Sequence, residues 1–207
     1  RDLHGSKFHY QWVHSTRAQN GVLVNGVGQR PHSTAPDGRI VDFMAATNFD
    51  YVAGDATPAY EGRLTRALRR VVFVKPDLIV LLDELAAPQP STFQFMLHGY
   101  SAFTVDPSND TLTLERPLAG LRAHYLSPTP LQHRQWDGFD PKPKKEFPNQ
   151  WHVESGTTDK RTELAMLTVL ATHRHGAAKE LRTERIESPD AVGLRLMLGE
   201  TTCDIAF

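Results

Sequence analysis

Residues 68–85, LRRVVFVKPDLIVLLDEL, decide the fold. Two apolar, β-branched runs flank Pro76-Asp77, a dipeptide suited to a turn. Residues 68–75 read as one strand. Residues 78–85 read as a second, so nearly continuous in apolar character that both of its faces should be buried. Asp83 and Glu84 sit side by side there. Neighbours on a strand face opposite ways, so they make a poor acid/base pair.

Working outward, residues 92–98 (TFQFMLH) alternate and read as a third strand, expected to lie antiparallel beside the first two. Short strands follow at 101–105, 110–115 and 120–126, at a spacing of roughly ten residues typical of an antiparallel sandwich. Residues 127–161 break the rhythm with five prolines, and Trp136, Phe139, Phe147 and Trp151 suggest a long loop packed down on the body. Strands resume at 163–172, about 179–187, 191–198 and 201–207. Towards the N-terminus, alternating Phe8, Tyr10 and Trp12 suggest an early strand. A strand at 21–25 ends on Asn25-Gly26, a tight-turn signal, and a loop over 28–38 carries Pro31 and Pro36. Residues 39–43 read as a strand and 61–67 as one helical turn. There is no long amphipathic helix and no internal repeat. The expectation is all-β: an antiparallel sandwich of two packed sheets, one domain over residues 1–207.

Composition narrows the function classes. Lys plus Arg number 23 and Asp plus Glu 24. That balance argues for neither a nucleic-acid surface nor a membrane surface. No run approaches the roughly 18 apolar residues needed to span a bilayer. The single Cys203 excludes an internal disulfide. The 10 histidines are many for this length. The chain opens at Arg1 in what reads as mid-protein sequence, as a fragment or a processed piece would.

The polar run Trp12 to Asn20 holds the chemistry. It carries an imidazole, a guanidinium and two amides, and leads directly into the 21–25 strand. If residues 14–24 are extended, His14, Thr16, Ala18 and Asn20 share one face, and Ser15, Arg17 and Gln19 the other. The plain reading is a polar strand end at a sheet margin. His173-Arg174-His175 has metal-like spacing but reads as a strand end. His98 reads as a hydrogen-bonded structural histidine. Asp55 and Tyr60 read as loop-fixing groups, and Gly26-Val27-Gly28 lacks the strand–loop–helix setting of a phosphate loop.

The runs NGVLVNGVGQ (20–29), DYVAGDATPAY (50–60), RRVVFVKPDLIVLLDEL (69–85) and FQFMLHG (93–99) resemble, in this order, the C-terminal β-domain of heparinase II/III-like polysaccharide lyases. The piece from FPNQWHVES to KRTELAMLTVLAT (147–172) is also similar. The resemblance implies a supersandwich-like β-domain that follows an N-terminal (α/α) toroid, with the active cleft between them. The toroid is missing here, so it would have to be supplied in cis or by another chain. The family cleaves uronic-acid-containing polysaccharides by β-elimination. The toroid supplies a catalytic Tyr and the sandwich a His. A family pattern H-x-H-x-x-H-N falls on residues 14–20, where His14 keeps the first His and Asn20 the Asn. Thr16 stands where some members carry a zinc-binding His, and Gln19 replaces the last His. Asp42 matches the metal-binding Asp. A hydroxyl is no ordinary zinc ligand, so no cofactor is expected, zinc included.

Uronide cleavage removes the proton on carbon 5 beside a carboxylate and expels the oxygen on carbon 4. The carboxylate must be neutralised as the carbanion develops, a task for amides and for Arg. A base and an acid complete the reaction, and His and Tyr suit both roles. His14 is therefore the expected catalytic residue, and Asn20, Arg17 and Gln19 the expected substrate-binding residues, with no metal ligand. A strict strand would separate His14 from Arg17, so a bulge or loop is needed to unite them. The expected partner is an acidic polysaccharide and the expected location periplasmic or secreted. The alternatives are a module that holds acidic glycans without cutting them and a purely structural sandwich.

Overall fold

The structure is a computed structural model that describes residues 4–34 and 37–207. Pro36, read above as part of a loop, lies outside the described residues.

The residues 68–85 that decide the reading do form a hairpin. Arg66–Val74 pairs antiparallel with Leu78–Ser91, Val72 opposite Val80. They lie within an eight-stranded antiparallel sheet, whose order runs Arg39–Ala45, Phe49–Asp55, Arg66–Val74, Leu78–Ser91, Arg161–Arg174, Ala119–Leu126, Thr111–Glu115 and Thr104–Asp106. A four-stranded sheet holds Val22–Val24, Phe93–Gly99, Trp151–Thr157 and Leu131–Asp137 in that order. Leu181–Ser188, Ala191–Leu198 and Thr201–Ala206 form a third sheet.

Side-chain alternation explains how these stack. On the long central strand, Leu78, Val80 and Leu82 face one way, and with Val72, Leu167 and Val169 they meet Leu194 and Leu196 of the C-terminal sheet. Leu85 and Ala87 face the other way, and with Leu112, Tyr125 and Met166 they meet Phe93, Phe95, Leu97 and Val153 of the four-stranded sheet. The large sheet is thus a middle layer buried on both faces. This is why its central strand is apolar at consecutive positions. Burying a side chain such as Phe93 or Leu82 is worth about 1.5–3 kcal/mol, so the two cores hold the layers together.

Five expectations are corrected. The sandwich has three sheets rather than two. The strand at Phe93–Gly99 does not lie beside Leu78–Ser91. The chain crosses to the facing sheet at Thr92, which lets Phe93 and Phe95 cover Leu85 from across the core. The 127–161 region is not one long loop, because Leu131–Asp137 and Trp151–Thr157 pair within it. Finally, Phe8, Tyr10 and Trp12 are not on a strand. His9–Val13 is a π-helical turn, and Thr16–Ala18 a 3-10 turn. Phe8 and Trp12, four apart, are buried while Tyr10 is exposed, the pattern of a helix face. The expected helical turn at 61–67 is instead a 3-10 turn at Thr57–Tyr60. Among the described residues no helix is long and apolar enough to cross a membrane.

The N-terminal segment packs on the outer face of the four-stranded sheet. Phe8 lies edge-on to Phe139 at 5.2 Å, and Trp12 sits 4.9 Å from the ring of His152. Asn25 and Gly26 both take positive φ, 49° and 77°, and Val24 and Val27 exchange backbone hydrogen bonds around them. This is the tight turn that the Asn-Gly pair signals. It sends the chain back so that Gly28 to Arg30 run beside residues 14–20.

Candidate functional site

The two short turns decide what residues 14–20 present. His14 closes the π-helical turn, Ser15 is extended, and the 3-10 turn rotates the chain before Gln19. The result is a hollow of about 180 Å³ lined by His14, Thr16, Gln19, Asn20, Gln29 and Arg30 among others. The alternation expected of a strand over 14–24 is overturned, since only Val22–Val24 is strand. Helical turns reset the side-chain directions, so His14 and Gln19, which a strand would separate, now share one concavity.

Thr16 is the buried floor of this hollow. Its Oγ1 accepts the N–H of Gln29 at 2.8 Å, which ties the returning loop to the 3-10 turn. A Cβ on Gly28 would lie 2.3 Å from Thr16 Cβ, so only glycine allows the two segments this close. Below, Arg69 donates to the carbonyl of Asn20 at 2.7 Å and grips Asp83 with two bonds of 2.7 and 3.0 Å. Tyr60 donates to the carbonyl of Val22 at 2.8 Å. His98 Nε2 lies 3.0 Å from the carbonyl of Gln19. The backbone of residues 19–22 is therefore held by side chains from the eight-stranded sheet, the four-stranded sheet and the Thr57–Tyr60 turn.

His14, Gln19 and Asn20 are exposed at the hollow. Arg17 is not brought to it. Its guanidinium turns to Glu154 and to the carbonyl of Gly26, each at 3.5 Å. Gln19 already donates its amide to the carbonyl of Val13 at 3.2 Å. Sequence reasoning missed four residues here. Gln29 and Arg30 arrive through the Asn25-Gly26 turn. His9 and His32 flank His14, with His14 Nε2 3.1 Å from His9 Nε2 and the ring of His32 at 4.5 Å. Burial, then the neighbouring imidazoles of His14, His4 and His32, pushes the pKa of His9 down, which favours its neutral form as the hydrogen-bond partner of His14. The abundance of histidine was the available signal.

Asp42 accepts the N–H of Phe43 at 2.8 Å on an exposed strand. Among the described residues, no three or more His, Cys, Asp or Glu gather into a group that could hold a metal. His173 lies 2.7 Å from Glu115 Oε1 and joins two strand ends. Asp55 accepts the N–H of Thr57 at 2.8 Å, and hydrogen bonds from the Thr57 side chain first and its N–H second hold its carboxyl below the usual range. This is the loop-fixing role read from the sequence. Asp83 and Glu84 do face opposite ways, Asp83 to Arg69 and Glu84 to Arg66 and Arg70.

A Ser–His–Asp line also exists, with His133 Nδ1 2.9 Å from Ser155 Oγ and Nε2 3.0 Å from Asp110. Ser155 is fully buried within the sheet. No substrate reaches it, and the line serves to satisfy buried polar groups.

Comparison with known proteins gives one kind of match. No protein-family profile matches the sequence, and none of the curated proteins does. Among solved structures, a heparinase III gene product superposes with a TM-score of 0.77 over 95% of this chain and 31% of its own, at 11% identity. The heparan sulfate lyase HepC of Pedobacter heparinus superposes with a TM-score of 0.74 over 93% of this chain and 30% of its own, at 13% identity. The resemblance read from the sequence thus reappears as a shared fold. The chain spans less than a third of the length of these structures.

Proposed function

We propose that this chain is the β-sandwich part of a polysaccharide lyase that cleaves uronic-acid-containing polysaccharides by β-elimination. The carrying observation is the fold: nearly the whole chain superposes on a part of heparinase III and heparan sulfate lyase chains. The hollow around His14 supports the same reading. It offers an imidazole, the amides of Gln19, Asn20 and Gln29, and the guanidinium of Arg30 on one small surface. Those groups suit an acidic glycan, since amides and Arg can hold a carboxylate while an imidazole polarises it or moves a proton.

In this reading His14 is catalytic, and Asn20 with Gln19 binds substrate. Arg30 takes the place assigned above to Arg17, which is engaged with Glu154. Arg30 itself pairs with Glu61 at 2.5 Å, so a substrate carboxylate would compete with Glu61 for it. A helical toroid, in cis or on another chain, supplies the remaining base and acid, and no resident metal takes part. An acidic extracellular or periplasmic glycan is the partner class, which sets the location outside the cytoplasm.

The second reading, a non-cutting glycan-binding module, is favoured by the ties that Gln19 and Arg17 already make inside the protein. One experiment separates the two. Heparin, heparan sulfate and alginate are offered to residues 1–207 alone and to the sandwich joined to a helical domain, while the ultraviolet absorbance of unsaturated uronide is followed. The expected result is no rise with the first and a rise with the second, because base, acid and carboxylate-neutralising groups must converge on one sugar. Binding without any rise in the joined form would favour the module.

A further inference from the structure

His98 and His152 face each other on paired strands of the four-stranded sheet. Three contacts run through them. His152 Nε2 lies 2.7 Å from the carbonyl of Gly138, the two Nδ1 atoms lie 2.7 Å apart, and His98 Nε2 lies 3.0 Å from the carbonyl of Gln19. A carbonyl oxygen can only accept, so each Nε2 must carry a proton. The contact between the two Nδ1 atoms needs one proton more. That makes three protons on four ring nitrogens, whereas two neutral imidazoles hold two. With only two, one contact sets a lone pair against a lone pair.

We propose that His98 and His152 hold a third proton between their Nδ1 atoms, as an imidazole–imidazolium pair, and that His98 thereby acts as a positioning residue fixing the Gln19–Asn20 edge of the hollow. The proton count stands on geometry alone. Its consequence for substrate rests on the proposed glycan site.

The surroundings bear on the charge from several sides. Burial opposes it and pushes the pKa of both histidines down, and the imidazole of His152 lowers that of His98 further. The carbonyls of Gln19 and Gly138 act the other way, as does the carboxylate of Asp137 on the adjoining strand. Trp12 of the N-terminal segment and Trp136 place their rings 4.9 and 5.4 Å from that of His152, within the range where aromatic rings stabilise a cation. Glu154, two residues along the strand, is paired with Arg17 from the segment above. A hydrogen bond from a charged imidazolium is stronger than one from a neutral ring. This gives the exposed Gln19 a firmer anchor than a turn would otherwise have.

The test is nitrogen-15 NMR of the imidazoles in residues 1–207, followed from pH 5 to 8. The expected spectrum at neutral pH shows both Nε2 atoms protonated and one proton shared between the Nδ1 atoms. A bare Nε2 on either ring, or no proton between the Nδ1 atoms, at neutral pH overturns the proposal. His98→Phe keeps a ring of similar size and removes the donor. It should raise amide hydrogen exchange at residues 19–21 up to about tenfold, the scale of one lost hydrogen bond. Unchanged exchange there overturns the positioning role. If the three-proton signature is present and heparan sulfate does not bind, the glycan reading fails and this one stands.

Discussion

Arg69 and Asn20 lie 49 positions apart in the chain, yet the guanidinium of one donates to the backbone carbonyl of the other at 2.7 Å. The same guanidinium holds Asp83 with two further bonds, and Asp83 is almost wholly enclosed. The backbone beneath the candidate site is thus tied to the central strand of the middle sheet by a single ion pair. The Asp83 charge in turn raises the pKa of Arg69, so the guanidinium stays charged at any working pH.

Breaking that pair should be costly, because it leaves one charge without its partner. Asp83→Ala is expected to lower stability by about 3 kcal/mol, the low end of the range for a broken buried pair, since Arg69 keeps some access to water. Urea denaturation measures this. A loss below about 1 kcal/mol would show that the pair holds little.

Gly28→Ala tests the close approach that shapes the hollow. Its new Cβ would meet Thr16 Cβ and Oγ1, at 2.3 and 2.4 Å. The turn at Thr16–Ala18 must then shift or the loop must lift. Overpacking of this kind costs about 1–3 kcal/mol, and the Gln29 contact with Thr16 should weaken with it. Thermal unfolding checks the first point and amide exchange at Gln29 the second. A variant as stable as the parent, with Gln29 still protected, would refute the account.

Tyr125 gives a pH dependence with a definite sign. Burial pushes its phenol up to about 12, above the value near 10 usual for an unfolded chain. The unfolded state therefore ionises first and binds fewer protons than the native state. This contribution is complete below pH 10 and is lost between pH 10 and about 12. Stability should fall over that window by roughly 2–3 kcal/mol at most. Tyr125→Phe should flatten the fall, and a pH series of denaturation curves on both proteins decides it.

His14→Ala, in a protein that includes the helical domain, is expected to lower turnover by a factor of about 100 or more, the scale of a lost acid–base group. Folding should change little, because the ring is exposed. His173→Ala is the control. That ring is paired with Glu115 far along another strand end. Should His173→Ala abolish turnover while His14→Ala spares it, the assignment of residues 14–20 fails.

Protein purified without chelator is expected to carry no stoichiometric zinc. Thr16 spends its hydroxyl on Gln29, and Asp42 lies on an exposed strand with a local backbone contact. Elemental analysis is the check. A bound metal that disappears with His14→Ala or Asp42→Ala would reverse the conclusion.

Several features were open to reading in the chain alone because their causes are local. Pro76-Asp77 between two β-branched runs can only turn, and Asn25-Gly26 accepts the positive φ values that a tight turn needs. The near-continuous apolar run at 78–85 announced a strand covered on both sides, and Leu82 and Leu85 do enter different cores. Asp55, Tyr60 and His98 bind where loop-fixing and structural roles placed them.

What the chain alone could not settle depends on partners distant in sequence. Phe8, Tyr10 and Trp12 fit a strand and a helix almost equally well. Only the bed of Phe139, Phe147 and His152 selects the helical turn that buries Phe8 and Trp12. That turn rotates His14 into the hollow and leaves Arg17 facing Glu154. Gln29 and Arg30 join the site because the Asn25-Gly26 turn just before them folds the chain back beside residues 14–20, and no local preference records where it lands. The placement of the strand at Phe93–Gly99 follows the same rule. Its alternation fits either sheet, and the choice falls to the core that Phe93 and Phe95 complete. Local dihedral preference and periodicity are written into neighbouring residues, whereas side-chain direction across a sheet or a hollow is set by burial against segments that meet only once the chain has folded.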